Sequence, residues 1–142
     1  MRVSVHIIML AFCLLAAPMA GAAPAKPATP IDAKNSTRAF QKTTMGGIQQ
    51  LLAKDPNDKA LVTAIRDSME AEAARFGTGD YGKDTPGARY LSMIKPGQLR
   101  ITYRQVPGGA AVDYQGRDAA TIDAIHKWLD VEIDAQYADT AD

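Results

Sequence analysis

Between positions 99 and 106 polar and apolar residues alternate, with Ile101 and Tyr103 on one side of an extended chain and Arg100, Thr102 and Arg104 on the other. That is the period-two signature of a half-buried strand. Pro107-Gly108-Gly109 breaks the run, and alternation resumes with Val112 and Tyr114 against Ala111, Asp113 and Gln115. The pattern predicts a hairpin. Gly116-Arg117 then hands the chain to a helix capped by Asp118 and running to Tyr137.

An earlier stretch repeats this unit. With Asp58 laid on Asp118, Val62 falls on Ile122, Ile65 on Ile125, Met69 on Leu129 and Ala73 on Ile133. Steps of three, four and four trace one apolar stripe along a helix, predicted from Asp55 or Asp58 to Phe76, with Gly77 as its stop. Upstream, Met45-Gly46-Gly47 aligns with Pro107-Gly108-Gly109, which places two extra residues in Lys54-Asp55-Pro56-Asn57 of the first copy. Residues 38–53 suit a helix as well as a strand, and the repeat decides for a hairpin, 37–45 and 48–53 around Gly46-Gly47. A glycine-rich loop over 77–87 and a short helix over 86–94, capped by Thr85, cross between the units.

Two β-β-α units, about 37–76 and 98–137, predict one α+β domain over 37–137. Its four-stranded, mainly antiparallel sheet carries both long helices on one face. The other face, bearing Arg100, Thr102, Arg104 and Asp113, is left for water or a partner.

The first thirty residues change the picture. Arg2, an apolar run over 3–17, Pro18 and Ala20-Gly21-Ala22 read as a signal peptide cleaved after Ala22. The run is shorter than the about 20 apolar residues a membrane span needs. A periplasmic or secreted protein with no span after cleavage is therefore expected. Residues 23–36 form a Pro/Ala-rich linker, and 138–142 a frayed acidic tail. Losing Arg2 leaves 15 basic residues against 16 acidic ones, a near-neutral chain without the basic stripe that nucleic acid requires. The only cysteine, Cys13, leaves with the signal peptide, so the core alone must hold the fold.

The chemistry is sparse. His126 is the one histidine of the mature chain, on the flank of the last helix, so neither a Cys/His zinc site nor a Cys-His couple can form within one chain. Gly77-Thr-Gly79-Asp-Tyr-Gly82 matches a dinucleotide fingerprint, yet it ends a helix where the fingerprint must open one. Asp130, Glu132 and Asp134 resemble a metal cluster only on paper, because 130 and 134 alone share a helical face. Arg66/Glu70 and Asp123/Lys127 are spaced as surface i,i+4 pairs. No cofactor is predicted. The repeat pairs Ser68 with Trp128, the smallest polar and the largest aromatic side chain among the matched positions. Such a mismatch suggests a ligand groove lined by Trp128, Ser68, Met45 and His126 or, as a plain alternative, a tryptophan that fills the space over Ser68.

Gly46-Gly47-Ile48-Gln49, Ala53-Lys54-Asp55-Pro56, Ile65-Arg66, Glu72-Ala-Ala-Arg-Phe76 with Gly79-Asp80, Pro86-Gly87 and Ala124-Ile125-His126-Lys-Trp128-Leu129-Asp130 together resemble a group of small exported bacterial proteins without an established function. Similar chains often carry histidines before the paired glycines, in the first long helix and near the C-terminus, which implies a metal or haem-like ligand there. Here Met45, Ser68 and a histidine-free tail stand at those places, and only His126 matches. Such chains also often bear the name aspartate carbamoyltransferase. Ser36-Thr37-Arg38 resembles the start of that enzyme's S-T-R-T phosphate motif, but Ala39 replaces the last threonine and the enzyme's two α/β domains total about twice this length. Carbamoyltransferase activity does not follow.

The expectation is an exported, non-catalytic binding or accessory protein for a small ligand or an envelope protein. The alternative is a metal handler or enzyme whose site is completed across a homodimer by His126 with Met45, Met69 or Met93, since thioethers and imidazole suit a soft ion.

Overall fold

In a computed structural model, residues 29–139 are described. The signal peptide and residues 23–28 of the 23–36 linker lie outside them, as do the last three residues. The elements are β1 (Ser36–Thr43), β2 (Gly46–Ala53), α1 (Lys59–Gly77), α2 (Ala88–Leu91), β3 (Leu99–Val106), β4 (Gly109–Gly116) and α3 (Ala119–Asp139). The strands form one antiparallel sheet in the order β1-β2-β4-β3. Helix α1 packs over β3 and β4, and α3 over β1 and β2. Among the described residues no helix is long and apolar enough to cross a membrane.

The α+β architecture is the one the repeat predicted, and the ladders show how closely the units match. Ser36 pairs with Ala53 in the first hairpin and Leu99 with Gly116 in the second, the same register displaced by 63 residues. The turns are Thr44-Met45 and Pro107-Gly108, so Gly46 corresponds to Gly109 rather than to Gly108. The sequence alignment was one residue out of step, and the first copy holds three extra residues before its helix. Glycine pairs are a poor guide to register because they mark the bend rather than its phase. Strand β2 pairs with β4 so that Gln49 faces its own counterpart Val112, and an internal two-fold axis passes through that pair.

Both helices start alike. Asp58 accepts from the Leu61 N–H at 3.0 Å, and Asp118 from the Thr121 N–H at 2.7 Å. Each satisfies one of the donors a helix start leaves unpaired. Several boundaries differ from expectation: β1 ends at Thr43 rather than 45, β2 opens at Gly46 rather than 48, and α1 takes in Gly77, with Thr78 as its C-cap. The crossover helix is a single turn, entered through Gly87 in the left-handed region without a side-chain cap from Thr85, and α3 continues through Ala138 to Asp139. The apolar stripes meet the sheet in one core, with Leu61, Ile65 and Met69 from α1, Ile125, Trp128 and Leu129 from α3, and Leu51, Val112 and Tyr114 from the central strands.

Ile65 and Ile125 are both fully buried at equivalent positions. Truncating either to alanine is expected to cost about 2–5 kcal/mol, since a cavity is left where the neighbours are held by the sheet. Urea denaturation followed by circular dichroism checks both magnitude and similarity.

Candidate functional site

The repeat also places a clamp at each hairpin tip. Arg66 on α1 donates from Nε to the Gly109 carbonyl and from Nη2 to the Val106 carbonyl, both at 3.1 Å. His126 occupies the equivalent place on α3, with Nε2 2.8 Å from the Thr43 carbonyl oxygen. A carbonyl only accepts, so Nε2 carries the proton. Arg66 thus serves the hairpin instead of pairing with Glu70, whereas Asp123 and Lys127 do form their ion pair, at 2.7 Å. His126 ties helix to sheet, and Nδ1 is its only uncommitted nitrogen.

The four residues expected to share a groove do not line one cavity. Met45 is exposed in the first hairpin turn, Ser68 is exposed on α1, and His126 faces Thr43. Trp128 alone borders a cleft. The sulfurs of the metal alternative are dispersed as well: Met69 is buried, its Sδ 3.8 Å from Gln49 Nε2, and Met93 is exposed. The acidic run on α3 divides among separate partners, Asp130 with Lys42 and Glu132 with the Trp128 indole.

The Trp128 cleft, of about 350 Å³, is floored by Phe40 and Gln49 of the sheet. Glu72, Arg75 and Phe76 of α1 wall it on one side, Trp128 and Glu132 of α3 on another, and residues 82–86 of the crossover loop on a third. Trp128 is 1% exposed and meets Tyr114 edge to face at 4.8 Å, with Phe40 and Phe76 each at 6.2 Å. Edge-to-face contacts set positive ring edges against negative faces, so the indole forms a fixed wall. Its Nε1 donates to Glu132 Oε1 at 3.1 Å, one turn along the same helix.

Beneath lies a buried polar pair. The Tyr114 hydroxyl donates to Gln49 Oε1 at 2.9 Å across the two central strands. Burial pushes the Tyr114 phenol far above its ordinary value, which keeps it a neutral donor at any working pH. An amide beside a phenol is a satisfied arrangement in a core that would penalise either group alone. As a polar side chain Gln49 carries no signal of burial; its parity with Leu51 and Ala53 in the strand was the available one.

Charge rings the cleft in balance, with Arg38, Arg75 and Lys83 against Glu72, Asp84 and Glu132. Glu72 and Glu132 are repeat equivalents on opposite helices. Burial raises the Glu132 carboxyl above its ordinary value, opposed by the Trp128 N–H and Arg38 and reinforced by Glu72. A carboxyl raised in the folded chain holds its proton more tightly there than when unfolded. Stability is therefore lost as pH climbs from the ordinary value of 4.5 through the raised one. Glu132→Gln, which keeps an acceptor for Trp128, is expected to raise the melting temperature at pH 7 and to leave it unchanged below pH 4. Paired melts at the two pH values check this.

The cleft can bind, orient and exchange a proton, but its lining holds no Ser, Cys or His nucleophile. No protein-family model, curated protein or solved structure matches this chain.

Proposed function

We propose that this chain is an exported, non-catalytic binding or accessory protein that holds a compact ligand of both charge signs in the Trp128 cleft. The observation that carries the reading is the rigid aromatic wall rimmed by three cations and three carboxyls around about 350 Å³. That volume is at the small end of the roughly 300–1,000 Å³ of ligand pockets. A zwitterion, such as an amino acid or a short peptide, meets an opposite charge at each end, whereas a simple anion also meets Glu72 and Glu132. The resemblance to small exported bacterial proteins supports the compartment.

Trp128 is the only tryptophan, so its emission reports on this cleft alone. Titration with free amino acids and dipeptides is expected to give a saturable change that neutral sugars do not produce and that Arg75→Ala weakens. A flat response to every zwitterion would overturn the ligand assignment. For export, the intact mass of periplasmic material is expected to begin at Ala23; a full-length cytoplasmic product would refute it.

A further inference from the structure

The two outer edges of the sheet are treated differently. On β1, Lys54 N–H donates to Asn35 O, so the alternation of an antiparallel ladder turns Ser36, Arg38, Phe40 and Lys42 outwards. That edge is partly engaged: Ser36 N–H donates to Asp32 O, and the Arg38 carbonyl accepts from the Gln136 amide of α3. On β3, Arg117 N–H donates to Gln98 O, which turns Leu99, Ile101, Tyr103 and Gln105 outwards. Among the described residues nothing bonds to their backbone N–H or C=O groups. Phe76 stands on α1 where α3 carries Gln136, so the matching brace is missing. Strand β3 is eight residues long and holds neither proline nor glycine. It lacks the devices that usually blunt an edge, apart from its charges.

Both sides of this edge are prepared for an added strand. On the helix side lies a cavity of about 640 Å³, lined by Phe76, Tyr81, Ile94, Leu99 and Ile101 among others. Strand parity sets Arg100, Arg104 and Arg117 towards the open side, where Arg104 is paired with Asp113 at 2.9 Å, and Arg100 and Arg117 also line the cavity. Arg100 and Arg117 form no ion pair among the described residues. A strand laid against β3 presents its side chains alternately to these two surfaces.

We propose that β3 is a docking edge for an extended peptide segment of a partner protein, with apolar residues alternating with acidic ones. The backbone of the segment pairs with Leu99, Ile101, Tyr103 and Gln105, its apolar side chains enter the cavity beside Phe76 and Ile101, and its carboxylates meet Arg100 and Arg117. This is recognition by strand addition, in which main-chain bonds supply affinity and alternate side chains supply choice. A second copy of this chain suits the edge less well, because two β3 strands side by side would bring their arginines together.

The test uses a blocked, fluorescein-labelled peptide of alternating valine and glutamate, with the valine–lysine peptide as control. The acidic peptide is expected to raise anisotropy saturably with the purified protein and to slow amide exchange at the four outward residues, leaving Trp128 emission unchanged. Gln105→Pro removes one outward N–H at an exposed position that an edge strand tolerates. It is expected to weaken binding at least tenfold, with an unchanged circular dichroism spectrum as the check on folding. Arg100→Glu is expected to weaken the acidic peptide and favour the lysine one. Absence of saturable binding, or binding that neither variant alters, would overturn the proposal. So would a peptide-free dimer already protected at these amides, which would assign the edge to a second copy.

Discussion

Gly109→Ala is expected to prevent stable folding, and Gly46→Ala to do the same. A Cβ at Gly109 would stand 2.0 Å from the Leu51 carbonyl oxygen, and one at Gly46 2.2 Å from that of Tyr114. These are the same contact seen from the two halves of the repeat, since Leu51 and Tyr114 are equivalent. Gly46 also carries φ +146°, which side chains rarely adopt. The obstacle is strand backbone held in the β2–β4 ladder, near its ends, so no rotamer can yield. Relief must come from parting β2 and β4, on which both helices sit. The cost should exceed the roughly 1–3 kcal/mol of ordinary overpacking, a large share of the roughly 5–15 kcal/mol that holds a domain together. Gly77→Ala is the control: nothing lies within 4 Å of its added Cβ, and a helical alanine is favourable by up to about 1 kcal/mol. Thermal melts of the three chains separate a backbone clash from a general intolerance of alanine.

Trp128→Ala is expected to destabilise the protein by about 3–5 kcal/mol, the range for removing a large buried aromatic. Tyr114, Phe40 and Phe76 each lose an edge-to-face neighbour. The half-buried Glu132 carboxyl loses the N–H that favours its charged form. The space left joins the existing cleft, so water can enter where a closed core would stay empty. Trp128→Phe should cost less than the alanine change, because it keeps the wall while still removing the N–H. At the equivalent place on α1, Ser68→Ala should stay within about 0.5 kcal/mol, as expected of an exposed site. Urea titrations followed by circular dichroism measure all three.

These outcomes also separate the two halves of the repeat. The halves share strand register, helix caps and a residue that braces each hairpin tip, and Glu72 and Glu132 line the same cleft, yet Trp128 walls that cleft while its counterpart Ser68 stands exposed on α1. The frame is symmetric, and the unlike side chains at the equivalent positions 68 and 128 make one end of it different.

Much of the frame was legible along the chain because it depends on local periodicity. The three-four-four stripe through Val62, Ile65, Met69 and Ala73 could bury one face only as a helix. The alternation through Ile101 and Tyr103 could do so only as a strand, and Asp58 and Asp118 stand where helix starts need acceptors. The ambiguous stretch 38–53 was resolved by likeness to the second unit rather than by its own pattern. What local pattern could not determine was how the units meet. Register between hairpins is a matter of single residues, and only the pairing of β2 with β4 put Gln49 opposite Val112 and buried it beneath Tyr114. Trp128 lies deeper than the edge of the apolar stripe on which its spacing from Ile125 sets it, at 1% exposure, and the other walls of its cleft come from β1, α1 and the 82–86 loop. The grouping of Ser68, Met45 and His126 around it failed because Ser68 is exposed on α1 while Met45 and His126 belong to the first hairpin tip. A site of that kind is set by the angle at which two helices cross a twisted sheet. That angle arises from packing between residues far apart in the chain, and tertiary structure alone decides it.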